Sequence, residues 1–373
     1  MEADVSLGYL LSGGVDSAAV VTAARSFSGG SAPLMTFTAG FEEASFDERG
    51  PAREVARALG TRHFETVVTR GDTLDRLTSI LRGMDEPIAD PSLLPTHLLC
   101  AFAQQHVTVA LSGDGGDELF AGYDPFKALF LARWYGRLTP RCLHRVMVGL
   151  AERLPIGSGN MAFDFKLKRT LRGLSEPAGL WNPVWLAPAS AHEIEMLTGE
   201  RVKNEDLLGE AFELWESCES TDMTDRTIEF FANFYLQQIL TKVDRASMLC
   251  SLEVRSPFLD PDLADYALSL PASAKFRHGQ GKVVLRRALT GHLDNRILRR
   301  KKKGFGIPLV EWLRRLPLPD LSRAEDLGID PSAFAKMWQA HRDGVADHRG
   351  ALWAVLTLLE SGLRGSEERS PVT

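Results

Sequence analysis

The sequence has few of the features that would assign it to a metal-binding, secreted or membrane class. It contains four cysteines in 373 residues, none in a Cys-x-x-Cys or Cys/His spacing suited to zinc. They are Cys100, Cys142, Cys218 and Cys250. No apolar run approaches the roughly 18–20 residues of a membrane span, and the chain start, with Glu2 and Asp4, lacks the basic residues of a secretory signal. We therefore expect a cytoplasmic protein without a disulfide framework or a membrane partner.

Charge of one sign is not in excess either. Lysine and arginine number 43 against 49 acidic residues, a net charge of −6. This balance gives no general electrostatic reason to bind nucleic acid or anionic lipid, so we expect no nucleic-acid partner. Hydrophobic residues make up 44% and charged residues 25%, a mixture that excludes a disordered, collagen-like or coiled-coil chain and favours a globular one.

The hydrophobic pattern changes along the chain. Residues 1–125 alternate short β-rich runs with helical patterns, which predicts a doubly wound parallel sheet in an α/β fold. The predicted strands are Ser6–Leu11, Leu34–Ala39, His63–Val68 and Val107–Leu111, and the predicted helices are Ser17–Arg25, Pro51–Leu59, Asp72–Arg82 and Thr96–Gln105. Residues 126–365 are predicted to form a mainly helical part, with its clearest helices at Asp225–Leu249 and Lys282–Thr290, and residues 366–373 a frayed tail.

A glycine-rich turn, Ser12-Gly13-Gly14-Val15-Asp16-Ser17, follows the first predicted strand. Its glycines allow close approach to phosphate oxygens, and the helix that follows directs its positive end toward them. The string is neither a Walker A sequence nor a GxGxxG sequence. A carboxylate at Asp16 would repel phosphate unless a divalent cation lay between them, which indicates magnesium (Mg²⁺). The alternative is an ordinary glycine turn with Asp16 as the helix N-cap.

A second glycine-rich turn, from Ser112 to Tyr123, follows the fourth predicted strand. Three carboxylates, Asp114, Asp117 and Glu118, fall within five residues there, and together they are costly without a cation or polar partners. The alternative is a calcium-like or solvated acidic loop, although the EF-hand pattern is absent. Because both turns follow strands of one parallel sheet, we expect them to face one crevice.

These strings carry a resemblance to a known family. SGGVDS resembles the loop of the ATP-pyrophosphatase superfamily, which cleaves ATP between its α and β phosphates. With the SGDGGDE turn, the EVRSPFLD string at Glu253–Asp260 and the RKKKGFGIP string at Arg300–Pro308, the chain resembles the C-terminal synthetase domain of asparagine synthetases. The likeness runs from Leu10 to about Leu313 and is weakest between 150 and 225. It implies a sheet of the adenine nucleotide α-hydrolase type with a large, mainly helical C-terminal part.

The resemblance also implies roles for individual residues. ATP would contact Leu11, Ser12, Gly13, Gly14, Asp16, Ser17, Ala39, Ser112 and Gly113. Magnesium would be shared by Asp16 and Asp117. The catalytic residues would be Asp114, at the acyl-adenylate, and Lys282 and Lys302, facing the phosphates. Simple core packing is the alternative for the side chains of Leu11 and Ala39.

Charged residues in the second half have competing interpretations. Asp244, Arg245, Glu253 and Arg255 interleave with apolar residues, which favours ion pairing beside a site over direct substrate contact. A run of five basic residues, Arg299–Lys303, is typical of a solvated or nucleic-acid-binding patch. Positioned lysines also stabilise the charge that develops when ATP is split to AMP and pyrophosphate. The resemblance of this segment to the family motif implies that role for Lys302, and we expect Lys301 and Lys303 to lie on a solvated face.

The resemblance implies acyl adenylation followed by aminolysis, with aspartate becoming asparagine if aspartate is the acid. Complete family members begin with a glutaminase domain whose cysteine follows the initiator methionine, whereas Glu2 stands there in this chain. Nitrogen would then come from free ammonia, from a separate glutaminase subunit or from a substrate amine, unless the chain is a truncated fragment. The alternatives are a β-lactam synthetase or lasso-peptide cyclase, a tRNA-modifying ATP pyrophosphatase, and a non-catalytic interaction module.

Overall fold

A computed structural model describes residues 4–28, 33–300 and 304–361. The chain divides into two compact units, each built from three segments. The sheet unit comprises Met1–Thr69, Pro95–Arg141 and Glu213–Phe305, and the helical unit comprises Arg70–Leu94, Cys142–Phe212 and Gly306–Thr373. The sequence-based boundary at residue 125 stays a prediction.

The sheet unit contains a parallel sheet whose strand order is β3-β2-β1-β4-β5. The strands are β1 (Leu7–Leu10), β2 (Met35–Phe41), β3 (Arg62–Val68), β4 (Val109–Leu111) and β5 (Glu253–Arg255). The first four agree with the predicted strands, so the α/β fold class with a parallel, doubly wound sheet is confirmed. The sequence analysis missed β5, because a three-residue strand with a charged residue at each end carries no strand pattern.

The helices alternate with the strands in the first part of the chain and follow one another afterwards. In chain order they are α1 (Val15–Phe27), α2 (Arg49–Leu59), α3 (Arg70–Arg82), α4 (Leu93–Gln104), α5 (Gly116–Leu119), α6 (Asp124–Leu138), α7 (Arg141–Glu152), α8 (Phe163–Gly173), α9 (Trp181–Leu186), α10 (Ala191–Thr198) and α11 (Asn204–Leu207). They continue as α12 (Gly209–Ser217), α13 (Met223–Phe230), α14 (Leu236–Met248), α15 (Pro261–Ser269), α16 (Ala272–Lys275), α17 (Val283–Ala288), α18 (Asn295–Leu298), α19 (Leu309–Arg315), α20 (Pro331–Arg342) and α21 (Arg349–Glu360). No helix in the described ranges combines the length and apolar character needed to cross a membrane.

The predicted helix Asp225–Leu249 contains an interruption. Its chain segment forms α13, then one π-helical turn over Phe231–Tyr235, then α14. Phe231 within this turn is buried and stacks on Tyr123, with ring centroids 4.7 Å apart. Its aromatic residues pack against the region after β4. Single π-helical turns inside α-helices are rare and are frequently found at functional sites.

The core of the sheet unit lies between β1 and its covering helices. Tyr9 on β1 and Ala18 and Val21 on α1 are at most 1% exposed, so the strand and helix pack without intervening solvent. α2 ends at Gly60, whose φ of 61° is left-handed and therefore suits glycine. This packing fixes the start of α1 at the carboxyl end of β1.

A buried histidine marks the interior of the helical unit. The side chain of His341, on α20, is fully buried, and its Nδ1 accepts a hydrogen bond from the His348 N–H at 3.2 Å. Burial lowers the pKa of His341 to about 4, despite attraction by Asp347. Arg349 forms an ion pair of 2.6 Å with Asp347. The positive charge of Arg349 offsets part of the attraction between Asp347 and a protonated His341.

This histidine predicts a pH dependence of stability. Between about pH 6.5 and 4 the unfolded chain binds a proton at His341 that the folded chain does not, so the free energy of unfolding falls as pH falls. Its share of the loss between pH 7 and 5 is about 2 kcal/mol. His341→Gln should remove that share in urea titrations at the two pH values, whereas His192→Gln, at an exposed position on α10, should not. An unchanged loss in the His341 variant would contradict this assignment.

Candidate active site

The first glycine-rich turn lies at the carboxyl end of β1. Leu11 N–H donates to the carbonyl of Phe37 at 2.9 Å, which continues the pairing of β1 with β2 into the turn. Ser12 N–H donates to Ser17 Oγ, and Gly14 N–H donates to Ser12 Oγ, both at 3.1 Å. The two serine hydroxyls therefore hold the loop in one shape and leave the N-terminus of the 13-residue helix α1 directly behind it.

Asp16 lies inside the first turn of α1, and Gly14 is the N-cap. The alternative interpretation of Asp16 as an N-cap is therefore wrong. A carboxylate in the first turn is stabilised by the positive end of the helix, and the side chain of Asp16 is 15% exposed.

The two turns touch because glycine occupies the contact positions. A Cβ added to Gly113 would lie 2.8 Å from the Ser17 nitrogen, and one added to Gly116 would lie 2.7 Å from Asp16 Cγ. Real Cβ atoms do not approach this closely, so any side chain at these two positions would push the turns apart. The glycines of the second turn thus serve the packing against Asp16, a role that sequence reasoning did not assign.

The contact brings together Asp16 on α1, Asp117 on α5 and Lys282 at the start of α17. Lys282 Nζ donates to Asp16 Oδ2 and lies 2.5 Å from Asp117 Oδ1. The three side chains are 15%, 18% and 6% exposed, respectively. Burial alone would lower the pKa of Lys282, but attraction to Asp117 and Asp16 outweighs it and raises that pKa. The ammonium is therefore charged, and we call these residues the ion triad.

The backbone around Lys282 is also tightly determined. Its φ of 58° is left-handed, an uncommon conformation for a lysine. Lys282 N–H donates to the carbonyl of Phe120 at 2.8 Å. A Cβ on Gly281 would collide with the Ala121 carbonyl, and one on Gly122 would collide with the side chains of Asp117 and Lys282. Close backbone approach thus explains why one glycine, Gly281, precedes the lysine and another, Gly122, follows the acidic turn.

A second hydrogen-bonded group lies where β4 and β5 end. Leu111 and Arg255 are register partners, so Ser112 and Ser256 are the first residues beyond the two strands. Ser112 Oγ donates to Asp114 Oδ2 at 2.7 Å and lies 3.1 Å from Ser256 Oγ. Because the Ser112 hydroxyl has one proton, Ser256 is the donor in the second bond. The missed strand β5 therefore adds Ser256 to Ser112 and Asp114, which the sequence analysis predicted separately as an ATP contact and a catalytic residue.

The carboxylates of the second turn are not solvated. Glu118 is 2% exposed and accepts a hydrogen bond from Tyr123, while Asp114 and Asp117 are bound by Ser112 and Lys282. The interpretation as a solvated acidic loop is therefore wrong. Each carboxylate has a polar partner, and the sequence analysis expected either such partners or a cation for three carboxylates placed so close together.

The remaining predicted residues fall into three groups. The side chains of Leu11 and Ala39 are 2% and 3% exposed, so both belong to the core. Ion pairing is confirmed for Glu253 with Arg255 at 2.7 Å and for Asp244 with Arg245 at 4.0 Å, although such exposed pairs contribute at most about 1 kcal/mol. Lys302 lies outside the described residues, as do Lys301 and Lys303.

Arg300, just before that gap, has a role that the sequence did not signal. Its guanidinium donates to the carbonyls of Gly13 at 3.4 Å and Pro51 at 3.2 Å, and it forms an ion pair with Glu54. It therefore ties the first glycine-rich turn to α2. A Cβ on Gly13 would collide with Pro51, so this glycine also serves packing.

The ion triad fits a magnesium site in which the protein supplies only two carboxylate ligands. Mg²⁺ is usually bound by one or two carboxylates together with water and substrate phosphates, and Asp16 and Asp117 direct oxygens at one point, where Lys282 Nζ lies. Among the described residues no group of three or more His, Cys, Asp or Glu side chains could hold a metal by itself. The pair suits a cation that arrives with phosphate.

Comparisons with known proteins show which family the chain resembles. A family profile described as asparagine synthase matches residues 1–363. A putative glutamine-hydrolysing asparagine synthetase of Mycobacterium tuberculosis is 34% identical over 96% of this chain and 54% of its own length. Glutamine-hydrolysing asparagine synthetase 1 of Bacillus subtilis is 30% identical over 96% of the chain and 56% of its own length. A more distant relative, the amidase chyE of Penicillium rubens, is 24% identical over 84% of the chain.

The chain spans about half the length of these curated relatives. The family match nevertheless covers both glycine-rich turns, Lys282 and the basic segment before Phe305. The chain belongs to the asparagine synthase family.

Proposed function

We propose that this chain is the synthetase part of an ATP-dependent ligase that forms C–N bonds through an acyl-adenylate. The observation that carries the proposal is the ion triad at the carboxyl ends of β1 and β4, where two glycine-rich turns meet. Ligands of open parallel sheets bind at this edge. A cluster of opposite charges that is mostly shielded from water suits a polyphosphate and its cation.

ATP would lie across Ser12–Ser17 and Ser112–Gly113. The N-terminus of α1 offers backbone N–H groups and a positive dipole to its phosphates, and Asp16 and Asp117 would hold Mg²⁺. When bound, magnesium would neutralise phosphate charge and polarise the phosphorus under attack. Lys282 and Lys302 would stabilise the departing pyrophosphate as point charges.

The proposed reaction has two steps, the first at the α-phosphorus of ATP and the second at the acyl carbon of the adenylate. A carboxylate oxygen of the acid attacks that phosphorus and pyrophosphate leaves, which gives the acyl-adenylate. A nitrogen nucleophile then attacks the acyl carbon, AMP leaves and the nitrogen loses a proton. Asp114, oriented by Ser112 at 2.7 Å, is the carboxylate that we place beside this second step.

The substrates follow the family. We propose aspartate as the acid and ammonia as the nucleophile. The ammonia would be free or would come from a glutamine-hydrolysing domain or subunit. We propose the cytoplasm as the location of the protein. A natural-product amide synthetase of the β-lactam synthetase or lasso-peptide cyclase type is the second candidate. The similarity to the fungal amidase chyE, whose name does not mention asparagine, supports this second candidate.

The first prediction from the proposed function concerns which bond of ATP is cut. With ATP, Mg²⁺, ammonium and aspartate, the chain should release AMP and pyrophosphate in equal amounts, because the triad lies where the α- and β-phosphates would be cradled. Nucleotide chromatography and a pyrophosphate assay measure both products over a panel of acids. ADP and phosphate as the sole products would contradict the proposal.

The second prediction concerns the carboxylates. Asp16→Asn and Asp117→Asn should each lower kcat by roughly 10²-fold or more, and the double variant should be no worse than either, because residues acting as one unit are not additive. Circular dichroism should show retained folding. Asp244→Asn is the matched control, since its carboxylate is 64% exposed. Near-normal turnover in either triad variant would exclude the shared magnesium.

The third prediction separates Lys302 from its neighbours. Lys302→Ala should lower kcat by roughly 10²–10³-fold, the loss expected when one transition-state donor is removed. KM for ATP should change little, because the contact forms mainly in the transition state. Lys301→Ala and Lys303→Ala serve as controls within the same segment and should stay within a few-fold of the unaltered chain. Three similar, salt-sensitive losses would favour a general basic patch instead.

A further inference from the structure

Lys282 lies where the proposed magnesium would have to bind. Its ammonium contacts Asp16 Oδ2 and lies 2.5 Å from Asp117 Oδ1, so one cation already bridges the two carboxylates. Mg²⁺ requires oxygen ligands at about 2.0–2.1 Å. A divalent ion on these oxygens and an ammonium hydrogen-bonded to them would share nearly the same space.

We propose that Lys282 is an exchangeable internal counter-ion of the metal site. The ammonium and the divalent cation exclude each other between Asp16 and Asp117, so the metal binds tightly only with phosphate oxygens that accept the displaced ammonium. This proposal rests on the proposed function, because it adopts Asp16 and Asp117 as the magnesium ligands. It adds that a built-in cation makes metal binding dependent on the nucleotide.

Electrostatics supports the exchange. The Lys282 side chain is 6% exposed, so solvent and salt screen it poorly from a neighbouring cation. A metal that enters alone must either tolerate an adjacent positive charge or drive a buried ammonium away from its partners, and both are unfavourable. Phosphate oxygens remove this conflict, because they give the ammonium new acceptors while they complete the coordination of the metal.

The backbone of Lys282 confines the exchange to its side chain. Its N–H donates a hydrogen bond to the Phe120 carbonyl at 2.8 Å. Neighbouring atoms pack directly against Gly122 and Gly281, where even a Cβ atom would collide with them. The peptide therefore cannot shift without breaking these contacts. A lysine carries a compact charge at the end of a flexible four-carbon side chain, so Nζ can change its partner while Cα stays in place.

A second cation keeps the carboxylates compensated when the ammonium leaves. Arg286 lies one turn after Lys282. Burial lowers the pKa of its guanidinium, and the negative charges of Asp16 and Asp117 oppose that shift. Its Nε donates to the Gly281 carbonyl at 3.1 Å, which fixes it beside the triad. A variant without the Lys282 charge therefore retains one positive group near the two carboxylates.

The test measures metal binding without turnover. Mn²⁺ alone is titrated into the unaltered chain and into Lys282→Met, and free Mn²⁺ is followed by electron paramagnetic resonance. Loss of the competing charge should tighten Mn²⁺ binding by roughly tenfold or more. Lys275→Met is the matched control, because Lys275 is a lysine of the same unit that is 1% exposed and donates to the Leu268 carbonyl. It should leave the affinity unchanged.

Two further arms separate the possible failures. Asp16→Asn added to Lys282→Met should abolish the gain; a gain that persists would place the metal elsewhere and overturn both the inference and the proposed magnesium site. Equal Mn²⁺ affinity with and without Lys282 would overturn the inference alone, provided that the unaltered chain binds Mn²⁺ with a non-hydrolysable ATP analogue and Asp16→Asn does not. Lys282→Gln, which keeps polar contacts, repeats the titration if the methionine variant unfolds.

Discussion

The ion triad is the interaction on which the rest of the site depends. Lys282 and Asp16 are 266 positions apart in sequence, and Asp117 comes from a third segment, so the triad joins three distant parts of the sheet unit. Removal of one partner of a buried ion pair leaves an uncompensated charge and costs about 3–5 kcal/mol. The requirement that these groups meet explains glycine at positions 116 and 122, where a side chain would collide with Asp16 or with Asp117 and Lys282.

Two polar groups with different tasks lie side by side at the carboxyl edge of the sheet. The triad would handle the phosphates, whereas the chain of hydroxyls from Ser256 through Ser112 orients Asp114 on the side of β4 that faces β5. Strand register places both serines at the same level, and the turn that carries Asp114 also carries Asp117. One short loop thus carries a carboxylate of each group.

Local patterns in the sequence predicted the parts of the fold that are locally determined. The first four strands, the helices α1 to α4 and both glycine-rich turns appear in the sequence as alternating patterns and as glycine spacing, which are local features. Pairing across the fold has no such signal. Lys282 was predicted to face phosphates but not to bridge Asp16 and Asp117, Arg300 was not predicted to clamp the first turn, and β5 with Ser256 was missed because its three residues show no strand pattern.

The most direct test of the account follows one oxygen atom. The acid that supports pyrophosphate release, aspartate first, is labelled with oxygen-18 in its reacting carboxylate, and the AMP formed with ammonium is analysed by mass spectrometry. An acyl-adenylate built over the ion triad transfers one labelled oxygen to AMP when the amide forms. Unlabelled AMP, or label found in inorganic phosphate, would contradict attack of the carboxylate on the α-phosphorus.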